Sequence, residues 1–226
     1  MKPNDLVEFY DDYGSIGGGI CLLIEAGLGL AQDEEYNFIG QYQGELTSEQ
    51  LSKNLKLDTA ILVFSVLRLA LTIPLPAKRR DEATPFRVGI WGTQALSAAR
   101  HGITVFAPAQ SQAQVAKVLG AVGIAEGLAR LILQIIVIGY KLDTSDIQDE
   151  HEKSMVTTTE ILVLFGSILS FIGGACSGAS KLTPEPESKA LLKVLGGSGK
   201  ALSGVLSGVK GAVTGLDFAV DFFAEA

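Results

Sequence analysis

Four apolar stretches of about twenty residues, each with at most two charged side chains, constrain this chain more than any other feature. They cover residues 13–32, 59–77, 118–140 and 161–180. An α-helix rises about 1.5 Å per residue, so about twenty residues cross the roughly 30 Å hydrocarbon core of a bilayer. Strand-like alternation of apolar and polar residues is scarce. We therefore expect an all-α fold, a four-span transmembrane helical bundle in a membrane domain of residues 1–182.

The segments between these stretches are polar. In residues 33–58, the 45–57 part has the pattern of a short amphipathic helix that begins at Thr47. Residues 87–117 predict an interfacial or solvent helix that is broken near Pro108, because proline cannot continue a helix interior. We expect neither segment to cross the membrane.

Lysine and arginine are unevenly divided between the two predicted sides of the membrane. The N-terminal tail, the segment 78–117 and the tail after the fourth stretch share one side and hold twelve of them. The loops 33–58 and 141–160 share the other side and hold four. The positive-inside rule then predicts an integral membrane protein with both termini in the cytosol. The net charge of −7 argues against nucleic acid as a partner.

Four ionisable residues lie inside the predicted spans, at Glu25, Arg68, Glu126 and Arg130. A lone charge at the bilayer centre costs at least roughly 2.5–3.5 kcal/mol, so such groups normally pair or line an aqueous path. One interpretation is two structural ion pairs, Glu126–Arg130 within a helix and Glu25–Arg68 between helices. A second is a polar path through the bundle. A third is that these helices form the core of a water-soluble bundle.

Small residues recur every fourth position in the last predicted span, at Gly166, Ser170, Gly174 and Gly178. This spacing places them in one groove that another helix backbone can approach closely. In lipid such contacts support helix packing, because apolar burial gives no drive for association there. The groove therefore predicts close helix contacts within the chain or between copies.

The C-terminal segment 183–226 is predicted to be a linker followed by an amphipathic helix. One face of that helix is apolar. Its members are Leu202, Leu206, Val209, Val213, Leu216, Val220 and Phe223. The other face carries mainly serine, glycine and lysine, and the apolar face needs either a bilayer surface or the protein's own helices to cover it.

Signatures of enzymes, cofactors and metals are not found in the sequence. The segment 195–201 resembles a phosphate-binding loop, but Val194 and Ala201 replace the required Gly and Ser/Thr. His101 and His151 lie in different loops on opposite predicted sides, so they predict no metal site. We expect a protein without catalytic activity, cofactor or metal.

The sequence favours a structural or assembly protein of the membrane, which binds the lipid bilayer and associates with copies of itself or other membrane subunits through the small-residue groove, and which shapes the bilayer. One alternative is an oligomeric channel lined by the four intramembrane charges. Another is a soluble helical protein that inserts conditionally into membranes, as pore-formers do.

Overall fold

A computed structural model describes residues 3–35, 41, 43–74, 84–107, 112–142 and 150–224 of this chain. It confirms an all-α fold, and the described residues contain six helices and no strand. The helices are α1 (Pro3–Leu30), α2 (Ser48–Leu71), α3 (Thr84–Phe106), α4 (Gln112–Leu142), α5 (Glu150–Leu182) and α6 (Pro186–Ala224).

Helix α2 begins with a capping box at Thr47. The Thr47 hydroxyl accepts a hydrogen bond from the Gln50 N–H at 3.3 Å, and the Gln50 side chain accepts one from the Thr47 N–H at 2.8 Å. These two bonds satisfy backbone donors that have no partner inside the helix. The predicted helix start is therefore confirmed, but the helix does not end near residue 57. It continues into the second apolar stretch and ends at Leu71, shortly before Pro74.

The six helices form a closed ring. Each packs on the helices next to it in sequence, and α6 returns to pack on α1. All neighbours are antiparallel: for example, Gly14 of α1 lies against Leu71 of α2, while Gln32 lies against Asp58. The first residues of α1 and the last residues of α6 therefore lie at the same end of the ring, which we call the terminal end. The last residues of α1, α3 and α5 and the first residues of α2, α4 and α6 lie at the opposite end.

Helix α3 is a full member of the ring. The Trp91 indole N–H donates to the Leu69 carbonyl of α2 at 2.9 Å, and the Thr72 hydroxyl donates to the Gln94 side chain at 2.6 Å. The predicted interfacial helix 87–117 is thus divided between α3 and the first turns of α4. Several polar residues of this segment, among them Gln94, Ser97 and Thr104, face the ring interior rather than water outside it.

Two of the described helical segments are long and apolar enough to cross a membrane. They are Gln114–Leu142 in α4 and Lys153–Leu182 in α5, with mean hydropathy of 2.0 and 1.9. Only 22% and 17% of their most apolar windows are buried, so they are not core helices covered by protein. The four-span arrangement is not confirmed, because the ring has six members and α6 packs between α5 and α1.

Glycines allow the closest approaches in the ring. A Cβ on Gly19 of α1 would lie 2.7 Å from the Gly204 carbonyl oxygen of α6, which is too close for any side chain. A Cβ on Gly173 of α5 would lie 2.8 Å from the Gly196 carbonyl oxygen. Close contacts on both sides of α6 therefore explain Gly196, Gly199 and Gly204, although glycine is a poor helix former.

The distribution of polar and apolar side chains is inverted relative to a water-soluble protein. Fully buried residues include nine apolar and ten polar or charged ones. Large apolar side chains are exposed on every helix. Examples, from α1 to α6, are Ile20, Val63, Leu96, Ile132, Phe165 and Leu202. Soluble proteins bury most such residues, so the outer surface of this ring suits hydrocarbon better than water.

Candidate functional site

A cavity of about 600 Å³ lies inside the ring and is lined by residues of all six helices. It exists because helices on opposite sides of the ring do not touch one another. Its lining extends from Gly14 and Lys141 near the terminal end to Glu34 and Lys189 at the opposite end. The volume falls within the roughly 300–1,000 Å³ of small-molecule sites. We call this cavity the lumen.

The lumen is strongly basic although the chain is acidic. Of the fourteen lysines and arginines among the described residues, ten line it, together with His101, against only four acidic residues. The ten are Arg68, Arg87, Arg100, Arg130, Lys141, Lys181, Lys189, Lys193, Lys200 and Lys210. The acidic four are Glu25, Glu34, Asp58 and Glu126. An excess of positive charge in a confined space with low-dielectric walls attracts anions.

Helix periodicity explains how α6 supplies four of these cations. Lys189, Lys193, Lys200 and Lys210 are spaced by four, seven and ten residues, which returns each to the same face. All four line the lumen, and Ser203 and Ser207 lie among them.

The predicted apolar face of α6 is directed away from the lumen. Leu202 and Val209 are 53% and 42% exposed, while Leu206 and Val213 are half-buried. Leu216, Val220 and Phe223 lie outside the residues whose side chains are described. The amphipathic pattern is therefore used within the ring, with serine and lysine inside and leucine and valine outside.

The structure brings all four predicted intramembrane charges to the lumen. Arg68 Nε lies 3.4 Å from Glu25 Oε1, so the interhelical pair predicted between α1 and α2 is confirmed. Glu126 pairs instead with Arg100 of α3, whose Nε and Nη2 both lie 2.8 Å from Oε2. The predicted Glu126–Arg130 pair is therefore wrong.

Arg130 forms no salt bridge or hydrogen bond with any residue that the structure describes. It interacts electrostatically with Glu126 and Glu25 but makes direct contact with neither. Its spacing of one helical turn from Glu126 suggested a pair, but Arg100 approaches that carboxylate more closely. Arg130 is left as a cation at the lumen wall.

The sequence interpretation missed Arg100 and His101, which it placed outside the membrane. Both line the lumen from α3. Polar residues at Gln94, Ser97 and Thr104 share that lining and recur at helical spacing, which was the available signal. No group of three or more possible metal ligands occurs among the described residues.

Ion pairs join neighbouring helices at both ends of the lumen. At the opposite end, Lys193 Nζ of α6 lies 3.0 Å from Glu34 Oε1 and 3.3 Å from the Gln32 carbonyl oxygen, both just after α1. Near the terminal end, Lys141 Nζ of α4 lies 2.8 Å from Glu160 Oε1 of α5. One pair thus links α6 to the segment after α1 and the other links α4 to α5, so that each charge is compensated by its partner.

The middle of the lumen also contains polar atoms that other side chains do not satisfy. Glu25 Oε1 and Arg68 Nε, which lie 3.4 Å apart at the lumen, are buried and form no hydrogen bond with any described residue. Buried polar atoms in native proteins are nearly always satisfied by protein, water or ligand. Their place inside the ring fits a lumen that admits water or polar solutes.

The small-residue groove predicted on α5 is divided between two neighbouring helices and the lumen. A Cβ on Gly178 would lie 2.6 Å from the Gly120 carbonyl oxygen of α4, whereas Gly166 lies against Leu206 of α6. Ser170 lines the lumen, and Gly174, also at the lumen wall, has no other atom within 4 Å of its Cβ position. The outer positions of the groove therefore support packing within the chain.

No family model, curated protein or solved structure matches this chain.

Proposed function

We propose that this protein is a membrane-spanning six-helix barrel that conducts small anions through its lumen. The observation that carries the proposal is the inverted ring, which has apolar side chains outside and ten basic side chains around an internal cavity. Of the three functions that the sequence left open, the geometry supports the channel with a charged pathway best. A single chain supplies the whole lumen, so no oligomer is required.

A bilayer accounts for the outer surface. Residues such as Phe165 and Val63, each 58% exposed in the middle of their helices, would leave a large apolar area in contact with water. In hydrocarbon the same residues have a favourable environment, and every backbone polar group within a helix is satisfied internally. The helices have 23 to 39 residues, enough to cross about 30 Å.

The lumen also explains why only two helices have the composition of ordinary spans. A helix that lines a polar lumen needs an apolar face only toward lipid, so polar residues on its inner face lower its mean hydropathy. In α6, for example, Lys200, Ser203 and Ser207 all line the cavity. The mean hydropathy of a helix of this kind is therefore lower than that of a span surrounded by lipid.

The basic residues of the connections support a cytosolic location for both termini. The sequence between the end of α2 and the start of α3, two helix ends at the terminal end, contains Lys78, Arg79 and Arg80, whereas the three sequences that join helix ends at the opposite end contain no lysine or arginine. The positive-inside rule favours the basic end on the cytosolic side. With six spans instead of four, the favoured orientation is unchanged.

Selectivity for anions follows from the charge of the lumen. Its lining has an excess of six positive charges. Rings of lysine and arginine favour anions in pores, and the low dielectric of the surrounding helices and lipid strengthens the effect. A cation that enters the lumen would be repelled along most of the length of the lumen.

The assembly function is less well supported, because the groove that predicted it is used within the chain. Gly166 and Gly178 already contact α6 and α4. Conditional insertion of a water-soluble form would require the exposed apolar surface to be covered by a different packing of the same helices.

The test is an uptake assay with the purified full chain in liposomes. Labelled citrate is expected to enter protein-containing vesicles faster than protein-free ones, and labelled choline, a cation, is expected to be excluded. Uptake of both at the same rate, or of neither, would contradict an anion conduit. A carbonate wash of source membranes provides a second check, since release of the chain into the wash would exclude an integral membrane protein.

A further inference from the structure

A cluster of three cationic side chains and one histidine, from three different helices, faces the half of the lumen near the opposite end. Arg100 and His101 belong to α3, Lys181 to α5 and Lys200 to α6, and all four line the cavity. Lys200 interacts electrostatically with Arg100 and Lys181, and His101 interacts with all three. Helices α3 and α6 are on opposite sides of the ring, so these side chains converge across the lumen. We call these four residues the basic cluster.

The two lysines of this cluster have no direct partner. Neither Lys181 nor Lys200 forms a salt bridge or hydrogen bond with a described residue, although Asp58 attracts Lys181 and Glu25 attracts Lys200 electrostatically. Both carboxylates are already engaged: Asp58 accepts a hydrogen bond from Gln32 at 2.6 Å, and Glu25 pairs with Arg68. The lysine ammonium groups therefore keep their hydrogen-bond donors for another ligand.

Arg100 has a different place in the cluster. Its Nε and Nη2 are held by Glu126, and Nη1 donates to the Leu119 carbonyl at 3.4 Å. The guanidinium is thus fixed against α4 while the lysines remain adjustable on flexible stems. A fixed guanidinium facing two mobile ammonium groups can contact different oxygens of one ligand at the same time.

We propose that the basic cluster is the binding site of a single multivalent oxyanion, a small molecule with two or three phosphate or carboxylate charges. The proposal rests on the proposed function, because the lumen must be reached by solutes from water. Cations that face one another across a low-dielectric space repel, and one bound anion with several charges relieves all of these repulsions together. A monovalent anion such as chloride relieves fewer of them and cannot bridge the three helices.

The experiment measures binding to the purified full chain in detergent at constant ionic strength. Citrate, pyrophosphate and chloride are titrated, and binding is followed by calorimetry and by the rise in melting temperature that a ligand of the folded state produces. We expect saturable binding of citrate, pyrophosphate or both, with chloride at least tenfold weaker. The stronger of the two shows whether the site prefers carboxylate or phosphate oxygens.

Substitutions locate the site. Lys200→Gln and Lys181→Gln are each expected to weaken binding about tenfold, as the loss of one charge-assisted contact predicts. Lys200→Arg keeps the charge and is expected to retain most of the affinity. Lys117→Gln is the matched control, because Lys117 is exposed on α4 and does not line the lumen. If anions were attracted only by the overall charge of the protein, and not by a site, binding would weaken equally in all three glutamine variants.

Three results would overturn the proposed site: no saturable binding of either multivalent anion, equal affinity for chloride, or unchanged binding in Lys181→Gln and Lys200→Gln. If the glutamine variants do not fold, the affinities of Lys200→Arg for citrate and pyrophosphate decide. A change in the preference between the two anions supports the site, because it requires contact at position 200, and an unchanged preference contradicts it. These measurements use no membrane. A failure of anion uptake with intact binding would therefore contradict the conduit and leave the site standing.

Discussion

Arg100 of α3 and Glu126 of α4 form a close ion pair in the lumen wall, with two guanidinium nitrogens 2.8 Å from one carboxylate oxygen. The Glu126 side chain is only 6% exposed, and the Arg100 side chain 19%. Removing one member of such a pair destabilises the fold more than removing both, because the remaining side chain is then a buried charge without compensation. This asymmetry provides the first prediction.

Glu126→Gln is expected to lower the free energy of unfolding by about 3–5 kcal/mol, because it leaves the Arg100 guanidinium uncompensated. The double variant Arg100→Met/Glu126→Met is expected to recover much of that loss. Unfolding by denaturant in detergent gives the measurement. The control is Lys53→Gln, which breaks an exposed pair with Asp33 and is expected to change stability by less than about 1 kcal/mol. Equal effects of the two single variants would show that the lumen is as well solvated as the surface.

The contact between α1 and α6 is expected to be intolerant of any side chain at Gly19. Gly19→Ala would place a methyl group 2.7 Å from the Gly204 carbonyl oxygen, and overpacking of this kind costs about 1–3 kcal/mol. Gly27→Ala in the same helix has open space around it and is expected to stabilise by roughly 0.5–1 kcal/mol through helix propensity. Melting temperatures of the two variants should therefore move in opposite directions.

Two neighbouring positions on α5 distinguish lipid from water as the surrounding solvent. Phe165 is 58% exposed on the outer surface, whereas Ser167 lines the lumen. In a bilayer, Phe165→Lys is expected to cost roughly 2.5–3.5 kcal/mol at mid-membrane and to reduce membrane insertion, while Ser167→Lys is tolerated. In water the order would reverse, because an exposed lysine is favourable there. The amount of each variant recovered from carbonate-washed membranes measures the difference.

The ring predicts a topology that differs from the four-span arrangement at α5. In the ring, Glu150 at the start of α5 lies at the terminal end and Glu35 at the opposite end. In a variant with Cys21 and Cys176 replaced by alanine, Glu150→Cys is expected to be labelled by an impermeant thiol reagent from the cytosol, and Glu35→Cys from the other side. Labelling of both from the same side is what the four-span arrangement requires, and it would contradict the ring.

Arg130 is expected to contribute to anion selectivity without contributing to stability. It lines the lumen and has no direct ion-pair partner among the described residues. Arg130→Gln should therefore lower the anion-over-cation ratio in reversal-potential measurements and leave the melting temperature unchanged or raised. Lys117→Gln serves again as the control. A large loss of stability would instead show that Arg130 has a structural role like that of Arg68.

The sequence was sufficient to predict the helical class, the cap at Thr47, four of the lumen charges and the pair between Glu25 and Arg68. These features depend on local pattern or on the high energy of a lone charge in hydrocarbon. Periodicity also identified the polar and apolar faces of α6. This periodicity could not show which part of the structure covers each face.

The ring itself was not predictable from these patterns, because closure depends on contacts between distant parts of the chain. The polar residues of α3 suggested water outside the membrane, although the same pattern fits a helix that borders a polar lumen. The partner of Glu126 was predicted wrongly for a similar reason. The spacing of Glu126 and Arg130 within one helix is visible in the sequence, but the competing Arg100 side chain on the neighbouring helix is not.

The contact of Gly19 with Gly204 has a consequence for how the protein is made. Five of the six helix interfaces join elements that leave the ribosome one after the other, so they can form as synthesis proceeds. The sixth joins the two ends of the chain and must wait for α6. Until that moment the inner faces of the first five helices border an open gap. In the proposed membrane barrel, a chain that stopped before residue 186 would therefore expose its lumen charges to lipid, and we expect membrane quality control to recognise such chains by those charges.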